Sequence, residues 1–208
     1  MAVDPRKRQK QLARKKAKHQ SNKANKQTLA LRAAGRALEA AGTAPILHSF
    51  VSDDVWEAGL GYVILSRTLP GGQVAHAAFM LDVFCLGVKD AYLNIGTPEH
   101  YRATVLEGIG QRFNLQKIEP AAARKLVEGG VEYAASFGLA PHPDYAKAKR
   151  IFGDIDTAQC EEEFEYGKDG RPLYVQGPYD SPEKVRRIML AIGRREAMTI
   201  DSQAERLE

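Results

Sequence analysis

The sequence predicts an α+β domain: an antiparallel sheet with a central buried strand near residues 79–88, packed against several helices and preceded by a basic N-terminal arm, disordered or helical. Three observations carry this prediction. The stretch Phe79–Tyr92 is an almost continuous apolar run, long enough for a strand covered on both faces. Leu69-Pro70-Gly71-Gly72-Gln73 is a strong reversal signal between that run and the apolar Gly61–Ser66, so the two pair as an antiparallel hairpin. Downstream, several segments begin with helix-start chemistry and carry apolar residues at a 3.6-residue period.

In chain order, Thr28 caps a helix through Leu29, Ala33, Leu38 and Ala41, with Gly42 as its stop. Pro45 then opens a strand from Ile46 to Val51. Asp53–Glu57 reads as a turn or short helix whose Trp56 is a core or hinge residue. The second strand of the hairpin runs from Val74 to Cys85, and Gly87 ends or bends it. Thr97-Pro98-Glu99 supplies a cap, a proline at the first helical position and an acid in the first turn, for a helix to about Arg112. Pro120 starts the next helix, with Leu126, Val127, Val131 and Ala134 inward and Gly138 as its stop. Its Gly129-Gly130 pair costs about 1 kcal/mol per glycine relative to alanine, which close packing against a neighbour would offset. His142-Pro143-Asp144 opens a short helix to Phe152. A second hairpin joins Phe164–Tyr166 to Leu173–Val175, and Ser181-Pro182-Glu183 caps a last helix carrying Val185, Ile188, Met189 and Ile192, frayed after Glu196. The organisation is an arm, residues 1–27, and one α+β domain, residues 28–208.

The charge is segregated. Residues 1–36 contain 12 of the 30 Lys and Arg and one of the 26 acids, Asp4; the remainder keeps 18 basic and 25 acidic residues, an excess of 7 acids. A segment with Leu12 as the only large apolar side chain from Pro5 to Gln27 cannot bury enough surface to offset its ordering entropy. Over ~27 flexible residues its root-mean-square reach is roughly 28 Å. Arg6, Lys7, Arg8, Lys10, Arg14, Lys15, Lys16 and Lys18 therefore point to RNA or another polyanion as partner. With no aromatic residue for base stacking, contact is to phosphate and does not read sequence. A solubilising tail, or an arm folded back on the acidic body, are the plainer readings. The arm lacks the apolar stripe of a membrane-surface helix, and no apolar run approaches ~18 residues, so no membrane partner is expected. Cys85 and Cys160 have no CxxC partner and there is no signal-peptide core, which points to a reducing cytoplasm.

The motifs Trp56-Glu57-Ala58-Gly59, Phe79-Met80-Leu81-Asp82, Cys85-Leu86-Gly87-Val88-Lys89-Asp90, Pro141-His142-Pro143-Asp144-Tyr145 and Leu173-Tyr174-Val175-Gln176-Gly177-Pro178 together resemble a group of uncharacterised bacterial hypothetical proteins over residues 45–190, with the basic head outside. The resemblance implies a bacterial origin and no mechanism.

Chemistry is therefore sought where polar groups interrupt the apolar run. Asp82, Cys85, Lys89 and Asp90 inside such a segment must be paired or reach water. Asp82 and Asp90 with Asp144, Asp154, Asp156 and His142 offer oxygen and nitrogen ligands for a hard cation, or simply cap helices and pair with Lys89. Cys85 with His142, oriented by Asp144 or Asp82, forms a nucleophile and base, unless Cys85 is a core hydrophobe. His142, held between Pro141 and Pro143, is a ligand-binding position or a local cap accepting a backbone N–H. Lys89 is a catalytic lysine or, more simply, a structural ion-pair partner of Asp82 or Glu57 that fixes the strand end. Two functions follow: an accessory protein that associates with RNA or ribonucleoprotein through residues 6–36, and a hydrolase or nuclease whose site lies where the 79–90 segment meets the 142–144 turn.

Overall fold

The computed structural model describes residues 39–204, with side chains to Arg194. The chain divides into two units, Met1–Ala40 and Ala41–Glu208, and the fold described is that of the second. The basic residues from Arg6 to Arg36, and the expected helix from Thr28 up to Leu38, lie outside the described residues. Residues 39–41 are helical and a turn begins at Gly42.

The body is α+β. Five strands, β1 (Ile46–Ser52), β2 (Leu60–Thr68), β3 (Val74–Asp82), β4 (Gly87–Gly96) and β5 (Leu115–Lys117), form one sheet in the order β4-β3-β2-β1-β5, with the named pairs antiparallel. The β2–β3 hairpin closes where the sequence places it: Leu69 N–H donates to Gln73 O at 2.8 Å, and Gly71 and Gly72 take the left-handed conformations, φ 88° and 81°, that the tight reversal needs.

The long apolar run is two strands. β3 stops at Asp82, the chain reverses over residues 83–86, and β4 returns from Gly87, so Cys85 sits in a turn and Lys89 and Asp90 on the neighbouring strand. Apolar periodicity cannot show a reversal whose turn residues, Val83-Phe84-Cys85-Leu86, are themselves buried or half-buried. Met80 pairs with Asp90 and Leu81 with Val88, leaving Lys89 as the extra residue of a bulge.

Rows of paired residues face opposite sides of the sheet. One face carries Ile64, Val74 and Ala78 beneath Tyr101 and Val105. Tyr101 and Val105 come from the chain beyond β4: a helical segment that starts as Pro98–Tyr101, widens to a π-helical stretch over Arg102–Glu107 and ends in the turn Gly108–Gly110. Thr97 caps it, its Oγ1 accepting from His100 N–H at 3.3 Å. The other face carries Phe79, stacked on Phe152 at 5.1 Å between ring centres.

The remaining helices are α1 (Asp54–Glu57), α2 (Pro98–Tyr101, the start of the segment above), α3 (Pro120–Ala135), α4 (Tyr145–Ala148, followed by a 3-10 turn to Ile151) and α5 (Pro182–Ala204). The glycine pair in α3 has the close neighbours expected of it. A Cβ on Gly130 would lie 2.9 Å from Leu81 Cδ1, and one on Gly129 would lie 2.3 Å from the hydroxyl of Tyr166.

Other expectations are corrected. Phe164–Tyr166 and Leu173–Val175 are not strands; between them only the bridge Lys168–Arg171 forms, around a turn with Asp169 and Gly170 at positive φ. Instead these flanks dock on the 83–86 turn, Gly167 N–H donating to Val83 O and Leu173 N–H to Phe84 O. Trp56 is not core: it is 46% exposed and stacks on Phe164. Helix α5 spans Pro182–Ala204.

Candidate functional site

The 83–86 turn is built by Asp82, which is buried and uses one carboxylate oxygen to accept Phe84 N–H at 3.1 Å and Cys85 N–H at 2.9 Å. Desolvation raises the Asp82 pKa above the ordinary carboxylate value, against the opposing pull of Lys89 and the backbone donors. Cys85 is fully buried with Leu86, Ile188 and Ile192, a small core that joins the turn to α5. Burial, then the charge of Asp82, push its thiol up to about 12. That is the environment of a core thiol and the opposite of an activated nucleophile.

The second cluster meets the first through β4. His142 N–H donates to Val88 O at 2.9 Å, which pins the proline-flanked turn to the strand. His142 Nδ1 accepts from Asp144 N–H at 3.3 Å, so the imidazole closes its own local turn, and the same nitrogen lies 3.8 Å from both Asp90 Oδ1 and Asp144 Oδ2. The fold thus brings Asp90, His142 and Asp144 together at a solvent-exposed edge, while Asp82 and Cys85 lie inside the turn with structural partners.

Lys89 and His142 also line a cleft of ≈ 440 Å³ between the bulge, the 138–143 loop and α5. Its walls include Leu86, Val88, Leu139 and Ile188, and its cations are Lys89, Lys184 and Arg187. A larger cleft of ≈ 600 Å³ has the opposite character, with Glu119, Asp154, Asp156, Glu161 and Glu162 in its lining. Two of these acids have other partners. Asp156 caps the 3-10 turn Thr157–Gln159, accepting Ala158 N–H, and Asp154 Oδ1 pairs with Arg67 at 2.9 Å. Among the described residues no group of three His, Cys, Asp or Glu is arranged to hold a metal ion.

Two features escape sequence reasoning. Arg67, on β2, is 1% exposed; besides Asp154 it donates to the carbonyls of Ala44, Ile151 and Phe152, and so staples two chain segments, at residue 44 and over 151–154, to the sheet. A polar row also crosses the sheet, His48 paired with Ser66, Ser66 with His76 and His76 with Asn94. Over this row sits Tyr101, just ahead of the π-helical stretch: Ser66 Oγ–H donates to its hydroxyl at 3.1 Å, and the hydroxyl lies 3.1 Å from His48 Nδ1. The strand pattern holds the only clue, four polar residues in apolar strands whose pairing the sequence does not give. Ser66 is fully buried and His76 is 1% exposed, so the cluster is an internal polar network.

Compared with protein families, curated proteins and solved structures, the chain matches none. No helix among the described residues is long and apolar enough to cross a membrane.

Proposed function

We propose that the chain is an accessory protein that associates with RNA or ribonucleoprotein through residues 6–36, in a reducing cytoplasm, while its α+β body engages a further partner. The observation that carries this reading is the charge segregation: 12 cations and one acid in the first 36 residues, against 25 acids and 18 cations in the rest. Such density gains entropy by releasing the counterions condensed on a phosphate backbone. Support also comes from the body, where the buried acid and the thiol singled out as catalytic are committed to a turn and a core.

The test is RNA affinity at several salt concentrations for the full chain and for a chain lacking residues 1–27, which removes ten of the twelve cations and leaves Arg32 and Arg36. With ~6 phosphates engaged, log K falls against log salt with a slope of about −4 for single strands and about −5 for duplex, and truncation abolishes most of it. Equal affinities and slopes would leave residues 1–27 as a solubilising tail. The second reading, a hydrolase or nuclease, is favoured by one observation, the 3.8 Å approach of Asp90 to His142. It replaces the first if the RNA is cut during the titration and His142→Ala abolishes the cutting.

A further inference from the structure

We infer that the cleft between the Lys89 bulge, the 138–143 loop and α5 is a binding site for a small aliphatic carboxylate. Its polarity runs against that of the body. Beyond residue 36 acids outnumber bases by 25 to 18, yet no Asp or Glu lines this cleft, whereas Lys89, Lys184, Arg187 and the imidazole of His142 do. The carboxylates nearby are engaged with groups at its border. Asp180 holds Lys184 at 2.5 Å, Asp90 and Asp144 flank His142, and Asp82, behind the turn, attracts Lys89. Arg187 is exposed and forms no ion pair among the described residues. It is the cation left to receive an anion, and its planar fork suits a carboxylate.

The remaining walls decide what carries that anion. Leu86, Val88, Leu139, Ile188 and Ala191 are aliphatic, and no Phe, Tyr or Trp is present to stack on a base or an aryl ring. A volume of ≈ 440 Å³ falls in the range of small-molecule sites. An alkyl chain along the aliphatic wall with its carboxylate on Arg187 satisfies both halves; a bare inorganic anion satisfies one, and an alkyl cation is repelled by the other. The bulge has a role here, because it is what turns Lys89 out of the β3–β4 ladder toward the cleft border.

The probe is sodium octanoate, titrated calorimetrically into the full-length chain beside octylammonium, octanol, acetate and inorganic phosphate. Octanoate is expected to bind at about 1 mM or tighter, and each of the others at least about tenfold more weakly. Arg187→Glu is expected to weaken octanoate by about tenfold or more, and Ala191→Phe, which fills the aliphatic half and keeps every charge, to abolish it. Circular dichroism and melting temperature show whether each variant keeps its fold; Arg187 is exposed, so its replacement is expected to. Removing residues 1–27 leaves octanoate binding unchanged, which separates this site from the polyanion reading. The inference is overturned by no octanoate binding, by equal binding of phosphate or octylammonium, or by full affinity in folded Arg187→Glu.

Discussion

His76 shows how a single residue couples this sheet to pH. It is buried among Tyr92 and Tyr101, its Nδ1 has no hydrogen-bond partner among the described residues, and His100 adds a nearby charge. Desolvation lowers its pKa below 6.5; an interaction with the Val74 carbonyl opposes this and the charge of His100 reinforces it. His48, half-buried, is lowered in the same sense by desolvation and by Lys117. With the folded value below the unfolded one, the unfolded chain binds the proton more tightly. Stability from this source is therefore complete above about pH 6.5 and is lost as pH falls through the folded-state pKa. Asp82 has the opposite sign: its pKa is raised, so its contribution is present at low pH and lost as pH rises through its folded value. Urea unfolding of the wild-type chain and of His76→Asn from about pH 7.5 to 5 isolates the histidine. The wild type is expected to lose stability across this range more steeply than the variant; parallel profiles would mean that His76 binds its proton equally in the folded and unfolded chain.

At the level of elements, the β3–β4 hairpin is positioned by its approach to α3. Gly87 has φ +62°, and a Cβ there would stand 2.6 Å from the carbonyl oxygen of Gly130, a backbone atom that cannot rotate away. Gly71 has φ +88° and open space around it. Alanine at Gly71 is expected to cost about 1–2 kcal/mol for the left-handed backbone alone. Alanine at Gly87 pays the same strain plus overpacking of about 1–3 kcal/mol, so its urea midpoint should fall clearly further. Matching midpoints would mean that the hairpin and α3 separate without cost. The same pair explains what was legible in the sequence. Leu69-Pro-Gly-Gly-Gln73 was readable because its turn residues are polar or conformationally special. The 83–86 reversal was not, because Asp82 supplies the turn from inside β3 and the turn residues themselves pack into the interior. Thr97 and Pro120 were legible as helix starts because capping chemistry is local. β5 was not, since three residues carry no period and acquire strand geometry only from Phe50–Ser52 opposite. For the site, the meeting of Asp90 with the His142 turn was legible as a need of the chemistry, whereas the roles of Arg187 and the Lys89 bulge depend on α5 and on register, which are long-range.

For the whole molecule, the decisive property is that the sign of charge changes along the chain. The full sequence has a formal charge of +4 and a pI near 9.0, values that conceal a cationic head and an acidic body. Without residues 1–27 the chain keeps 20 Lys and Arg against 25 Asp and Glu, so its long-range field is expected to repel the polyanion that the proposed function has the full chain attract. Salt screens both effects, with a Debye length of about 30 Å at 0.01 M and about 8 Å at 0.15 M. The prediction is a reversal of sign rather than a mere reduction. Between those two salt concentrations the full chain's association rate with a labelled oligonucleotide should fall by about tenfold or more. The truncated chain's residual association should stay level or rise, because what the added salt screens is repulsion. The cationic cleft at Arg187 is too local to alter this, since its charges are outnumbered within the body. Stopped-flow fluorescence of the two chains against one oligonucleotide reads the outcome directly. A truncated chain whose association still slows with salt would place the polyanion-binding charge on the folded body, and residues 6–36 would lose the function proposed for them.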